Sequence, residues 1–299
     1  MFPYITDLIN YFFGTTLVFP VYTFGFILVL ASALSFFFVY IELKRRGKNG
    51  QIPLDSYKLT LNILVITGLS SLAGLKFFDI FDNWDLFLKD PLGKLLFFEG
   101  RSFYGGFIFG FVGLMSYTRH KSIPQSHVFD IAGLALLIGY AIGRMGCQLS
   151  GDGCWGTANF SPLPDCLGCL PDWMWGFRYP HNVLNAGIPI PGYEGTHCSI
   201  LPWPVFPTPL YESFLALISF IILWSIRKTI PTPGWLFSVF LITFSTSRFF
   251  IEFIRVNHKY SLLGMTLSQA QCISIICFLL GIASFWYFRL LHRRVPCVG

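Results

Sequence analysis

Apolar residues gather into seven runs along the chain, at about residues 19–41, 58–79, 102–118, 127–147, 208–226, 234–254 and 268–291. Each is long enough for a bilayer-crossing helix, which takes about 20 apolar residues. The third run is short and glycine-rich, with Gly105, Gly106, Gly110 and Gly113 following Tyr104, and predicts a close-packed start or a tilted helix shielded by its neighbours. The pattern therefore predicts an all-α integral membrane protein, seven transmembrane helices forming a single membrane domain over 1–299. Two polar interruptions are long enough to carry structure of their own. The first, 81–99, mixes Asp82, Trp84, Asp85, Lys89, Asp90 and Lys94 with Leu95, Leu96, Phe97 and Phe98, the blend of an interfacial arm placed to guard a lateral lipid entrance. The second, 148–207, is rich in Pro, Gly, Asn and Trp and predicts an irregular extracytoplasmic head inserted between the fourth and fifth spans.

Composition agrees and narrows the class. Hydrophobic residues make up 54% of the chain and charged residues only 12%, against roughly 25% charged in an average soluble domain. Thirty-four phenylalanines add apolar area suited to acyl chains and not to water. The net charge of +6 is not a nucleic-acid footprint, because the basic residues collect beside the apolar runs: Lys44, Arg45, Arg46 and Lys48 after the first, Arg119 and Lys121 after the third, Arg227 and Lys228 after the fifth, and Arg289, Arg293 and Arg294 at the seventh. The positive-inside rule puts those ends in the cytoplasm, hence the N-terminus outside and the C-terminus inside. The first 18 residues contain no Lys or Arg, which fits an outer N-terminus and predicts no cleavable signal peptide.

Five of the eight cysteines, Cys147, Cys154, Cys166, Cys169 and Cys198, fall in or beside the head. In an oxidising compartment the last four permit two disulfides, in any of three connectivities, and predict at least one, stapling a segment too small to build a core. A zinc site around Cys166-x-x-Cys169, with Cys154, His181, His197 and Cys198 nearby, is the weaker reading, since thiols outside the cytoplasm are seldom kept reduced. Cys272 and Cys277 sit in an apolar run, where cysteine packs as a small hydrophobe.

Charge inside the membrane marks function, because an ionisable group there costs several kcal/mol unless it is used. Lys76 reads as a snorkelling side chain or a partner of Asp79. Arg144 stands near the end of the fourth run, where Gly143, Gly146, Gly151 and Gly153 let backbone and phosphate approach closely. Arg248, Glu252 and Arg255 share one face of the sixth run; they suit an anion clamp, with an interhelical ion-pair ladder as the structural alternative. Tyr211 and Glu212 follow Pro207 and Pro209 at the same predicted depth, where an interfacial tyrosine and a solvated glutamate are the plain alternative.

At these residues the chain resembles the prolipoprotein diacylglyceryl transferase family, whose members move diacylglyceryl from phosphatidylglycerol to a lipoprotein cysteine. Gly143-Arg144-Met145-Gly146 through Gly151-Asp152-Gly153 is similar to the family's Gly-Arg-x-Gly-Asn-Phe-x-Asn-Gly-Glu segment, and Tyr104-Gly105-Gly106 to its His-Gly-Gly element. Pro207-Thr208-Pro209-Leu210-Tyr211-Glu212 is similar to His-Pro-x-Gln-Leu-Tyr-Glu, and Arg248-Phe249, Glu252-Phe253 and Arg255 to Arg-Phe-x-x-Glu-Phe-x-Arg. Four motifs in the family's order carry the likeness over nearly the whole chain. It implies a multi-pass protein of the bacterial inner membrane with phosphatidylglycerol, membrane lipid and the lipobox cysteine of a prolipoprotein signal peptide as partners, and no metal, cofactor or nucleic acid. Carried over by position, Arg144, Arg248, Glu252, Tyr104 and Asp152 are the expected catalytic residues. Gly105, Gly106, Ser150, Tyr211, Glu212 and Arg255 join the arginines in binding substrate.

The departures are chemical. Tyr104 and Phe206 stand where the family has histidines, Cys147 and Ser150 where it has asparagines, and Asp152 where it has glutamate. With both imidazoles gone, the family's proton acceptor does not carry over. Tyr104 and Asp152 remain as assistants to an acceptor thiol that is already a few per cent ionised at neutral pH, and His181 is a further, more remote candidate. The alternatives are a transferase with another donor or acceptor, a non-catalytic lipid-binding protein of the same fold, and a receptor or transporter, the last disfavoured because the charges form no path through the membrane.

Overall fold

The computed structural model describes the chain except residues 53–55, 97–102, 194, 231, 258, 263–264 and 295–299, and except the side chains of 56, 82, 94–96, 103–104, 166, 259, 261–262, 265 and 292–294. In chain order the helices are α1 (Ile5–Phe13), α2 (Thr23–Lys48), α3 (Ser56–Asp82), α4 (Trp84–Lys89), α5 (Pro91–Leu96), α6 (Phe103–His120), α7 (Gln125–Ser150), α8 (Thr208–Ile226), α9 (Trp235–Ile251) and α10 (Gln269–Arg294). Among the described residues six helical segments are long and apolar enough to cross a membrane: Thr23–Lys48, Tyr57–Phe81, Gln125–Ser150, Thr208–Ile226, Trp235–Ile254 and Gln269–Leu291. They match six of the seven apolar runs; the third run is α6, which is not among the six. The polar 81–99 stretch forms the short helices α4 and α5 up to Leu96, and the rest of that stretch lies outside the described residues. Phe26, Val29, Leu69, Ile221 and Leu279 are exposed, as lipid-facing positions on such helices should be.

The chain divides into two compact units, Met1–Ser35 with Ala132–Gly299, and Phe36–Ile131. In the second unit α3 and α6 pack through small residues. A side chain at Gly105 would strike the Gly74 carbonyl, one at Gly106 would meet Leu75, and Gly110 and Gly113 face Ser71 and Ser70. That close approach is why the third run is glycine-rich. Arg46, of the basic cluster after the first run, is buried and bonded to Glu42 at 2.9 Å, to Asp130 at 3.2 Å and to His127 Nδ1 at 2.5 Å. A guanidinium removed from water needs this surrounding set of acceptors.

In the first unit the Ser213 hydroxyl donates to the Ala141 carbonyl at 2.7 Å, joining α8 to α7, and Gly133 lets α7 approach the Phe240 ring of α9. Ser238 and Ser284 meet at 2.9 Å between α9 and α10. Residues 151–207, between α7 and α8, contain two short 3-10 turns and one two-stranded pair, β1 (Ile188–Pro189) with β2 (Ser199–Ile200). The disulfide expected here is not formed among the described cysteines: Cys154, Cys169 and Cys198 are free thiols, and the Cys166 side chain is outside the described residues. The segment has other means of folding. Tyr179, Leu201 and Val205 make a small core, the buried Tyr179 hydroxyl donates to Gln148 Oε1 at 2.7 Å, and the Asn182 amide donates to the Tyr179 and Ala186 carbonyls. Between α9 and α10 lies an unpredicted hairpin, β3 (Lys259–Leu262) antiparallel to β4 (Met265–Ser268).

Candidate functional site

The end of α7, the start of α8 and the end of α9 converge in the first unit, and each delivers charge for a local reason. Gly151, at φ 67°, accepts the left-handed conformation that stops α7, its N–H reaching back to the Cys147 carbonyl at 3.0 Å; Arg144 is thereby fixed two turns before the exit. Prolines at 207 and 209 start α8 where backbone N–H groups would otherwise lack partners, which sets Glu212 in its first turns. α9 tightens into a 3-10 turn at Glu252–Ile254. That turn is pinned by Thr157 N–H to the Ile254 carbonyl at 2.8 Å, so Arg255 leaves it next to Gly156.

Glu212 is the centre of the arrangement. Its Oε2 lies 2.6 Å from Arg144 Nε, and its Oε1 lies 2.5 Å from Arg248 Nη1 and 3.0 Å from Arg255 Nη1. Arg248 Nη2 also lies 3.0 Å from Glu252 Oε2. The Arg144 and Arg248 contacts to Oε2 of the two glutamates are ion pairs without a well-directed hydrogen bond. Glu252 takes its directed bonds on Oε1, from Ser268 Oγ at 2.8 Å and Asn257 Nδ2 at 2.5 Å. Three arginines against two glutamates leave one positive charge in excess. The carboxylates are 2% and 1% exposed, the three guanidinium side chains 13–19%, so the excess charge belongs to the groups that an anion can still reach. Beside it a cleft opens among α7, α8 and α9, with Tyr140, Glu212, Ser247 and Arg248 at its polar end and Leu137 and Phe244 among its apolar walls. Tyr140 lies under Arg144 at 5.0 Å from ring centroid to guanidinium carbon, a cation–π contact that steadies the fork.

The structure thus brings together Arg144, Arg248, Arg255, Glu212 and Glu252 of the sequence-predicted set. Other members make different contacts. The Ser150 hydroxyl is buried and donates to the Gly146 carbonyl of its own helix at 2.9 Å, and the Tyr211 hydroxyl donates to the Met174 carbonyl at 2.6 Å, tying α8 to the 151–207 segment. Gly105 and Gly106 lie in the second unit at the α3–α6 contact, and the Tyr104 side chain is outside the described residues. The His181 ring nitrogen Nδ1 lies 2.8 Å from the His197 carbonyl, and the ring packs edge-on against Tyr193. Asp152 turns its Oδ1 to the Cys154 N–H at 3.1 Å, and its carboxylate converges with the thiols of Cys147 and Cys154, the three ligand atoms lying within 4.8 Å of one another. A hydrogen bond from the Cys147 thiol pulls the Cys154 thiol below its ordinary pKa. Arg144 reaches this group too, with Nη1 4.0 Å from Cys147 Sγ. Sequence reasoning missed Tyr140, Asn257 and Ser268. A tyrosine one turn before Arg144 was a readable signal for the first; Asn257 bonds Glu252 from just beyond the turn that ends α9, and Ser268 is brought there by the hairpin.

Residues 12–287 match the family described as prolipoprotein diacylglyceryl transferase. Among similar proteins, the phosphatidylglycerol–prolipoprotein diacylglyceryl transferase of Lysinibacillus sphaericus is 30% identical, with 91% of this chain and 89% of that protein covered. Its namesake from Chlorobaculum tepidum is 28% identical over 83% of this chain and 81% of its own length, and that of Leptospira interrogans is 29% identical over 79% and 71%.

Proposed function

The chain belongs to the prolipoprotein diacylglyceryl transferase family, and on that premise we infer that it moves a diacylglyceryl group from phosphatidylglycerol to the lipobox cysteine of a prolipoprotein at the outer face of the bacterial inner membrane. The observation that carries the mechanism is the excess positive charge on Arg144, Arg248 and Arg255 around the buried Glu212. Phosphatidylglycerol slides in laterally, its acyl chains against apolar walls and its phosphate on the exposed faces of Arg144 and Arg248. Glu212 and Glu252 hold the two forks at fixed angles, so little reorganisation accompanies charge development. The acceptor thiolate attacks the glyceryl carbon next to the phosphate ester oxygen, a C–S bond forms as the C–O bond breaks, and the electron pair leaves with glycerol phosphate, whose added charge the arginines stabilise.

For the membrane arrangement, α6 serves as the seventh span, the N-terminus lies in the periplasm and the C-terminus in the cytoplasm. The four basic clusters support this orientation. It places the 151–207 segment and the arginines at the outer face, where lipoprotein precursors present their cysteine. Expression of the chain in a strain depleted of its own diacylglyceryl transferase tests the reading: growth with lipid-modified prolipoproteins is the expected result. Accumulation of unmodified precursor despite normal insertion of the chain would favour a lipid-binding protein without transferase activity.

A further inference from the structure

Cys147, Asp152 and Cys154 form a group that the arginine clamp leaves unexplained. Two thiols and a carboxylate point at one spot within 4.8 Å of each other, an arrangement of acceptors and latent anions that repels itself unless a cation or shared protons hold it. The backbone makes the convergence durable. Gly151 and Gly153, at φ 67° and 90°, fold the chain back sharply after α7, Asp152 Oδ1 is tied to the Cys154 N–H, and the Thr208 hydroxyl grips the Cys154 carbonyl at 2.8 Å from the start of α8. The donor set, two thiolates and one carboxylate, is that of a borderline-soft, tetrahedral divalent cation.

We propose that Cys147, Asp152 and Cys154 bind a zinc ion whose fourth position takes the thiol of the acceptor cysteine. Zinc ligand bonds of about 2.0–2.3 Å require donor atoms roughly 3.3–3.8 Å apart, so ligand atoms within 4.8 Å of one another close by at most about 1.5 Å when the ion enters. Three ligand charges exceed the two of zinc by one, and Arg144 Nη1, 4.0 Å from Cys147 Sγ, is the neighbouring cation. A three-ligand site keeps the open position that catalytic zinc uses. A thiol bound there gives up its proton to solvent and remains a thiolate. That thiolate would stand beside the guanidinium that also contacts Glu212 in the clamp, where the S–C bond forms and the phosphate ester C–O bond breaks. The thioether product carries no charge, binds zinc weakly and departs. Chain residues that replaced asparagine and glutamate of the family motif thereby do the work of the absent imidazole base.

The proposal rests on the transferase reading for its acceptor, but its binding test does not. Reduced, chelator-stripped full-length protein in phosphatidylglycerol nanodiscs is titrated with Co²⁺. One equivalent is expected to bind with a thiolate-to-cobalt charge-transfer band, displaced by Zn²⁺, weakened at least about tenfold in affinity by Asp152→Asn and abolished in Cys147→Ser/Cys154→Ser. A lipobox peptide should intensify the band by adding a sulfur ligand. Zinc should also shield Cys147 and Cys154 from alkylation while Cys169 stays reactive, a readout independent of variant folding. Chelation should slow transfer about 10²-fold, the scale of a lost general base. A cobalt spectrum without a thiolate band, a Cys147–Cys154 disulfide in the untreated protein, or full-rate transfer by metal-free enzyme would overturn the zinc site while leaving the transferase intact; absence of transfer under every condition would sink the transferase reading alone.

Discussion

Arg144 on α7 and Arg248 on α9 grip opposite oxygens of a single carboxylate, Glu212 of α8, at 2.6 and 2.5 Å. Residues far apart in sequence share one buried charge, so three helices must keep their relative heights for either arginine to stay in place. The clamp is therefore a packing feature as well as a chemical one, and substitutions separate the two roles.

Arg144→Lys and Arg248→Lys keep the charge and lose the planar fork that bonds a phosphate through parallel N–H groups. Both are expected to lower the transfer rate constant, with alanine worse, at about 2.7–4 kcal/mol for each lost donor by comparison with oxyanion-hole deletions. Single-turnover kinetics with saturating phosphatidylglycerol check this. A rise in KM with an unchanged rate constant would assign the arginines to donor binding only.

Glu212→Gln removes the shared counter-charge and leaves three guanidinium groups with Glu252, paired to Arg248, as their remaining carboxylate. Breaking a buried pair in this way costs about 3–5 kcal/mol, and thermal unfolding of the variant in detergent micelles should show the loss. Replacing Arg255 by Met in the same chain relieves part of the repulsion and should restore part of the stability. Equal stability of Glu212→Gln and parent would mean that the carboxylate is not the keystone.

Arg46 provides a control in the second unit. Buried among Glu42, Asp130 and His127 in the second unit, it should behave as a stabilising residue: Arg46→Met destabilises by about 3–5 kcal/mol, while the folded fraction transfers lipid at the parental rate per molecule.

Tyr211→Phe deletes the hydroxyl bonded to the Met174 carbonyl. The expected effect is about 1 kcal/mol of stability, with the carbonyl left unpaired, and earlier proteolysis of the 151–207 segment. A selective fall in donor affinity would instead place the hydroxyl on the lipid.

Much of this was legible in the sequence because lipid imposes simple rules. Apolar runs gave the helices, and the charged residues Arg144, Glu212, Arg248, Glu252 and Arg255 stood out because charge in such runs is costly. The sequence could not reveal that Glu212, read as a possible solvated residue, sits at the centre, since that depends on how three helices meet. Nor could it show that Ser150 turns back on its own helix, or that Cys154, expected among the disulfide-forming cysteines, meets Cys147 of α7 across a two-glycine turn. The hairpin that brings Ser268 to Glu252 lies beyond reach for the same reason: its pairing is settled by register with its partner strand and not by local pattern.

The central claim is that arginines anchored on Glu212 activate a phospholipid for transfer to a thiol. Its most direct test is mass spectrometry of a lipobox peptide incubated with the purified protein in phosphatidylglycerol vesicles, with glycerol phosphate measured in the same sample. The parent protein should add one diacylglyceryl group to the cysteine for each glycerol phosphate released, and folded Arg144→Ala and Arg248→Ala proteins should do neither at a measurable rate. Transfer by those two variants at the parental rate would contradict the account.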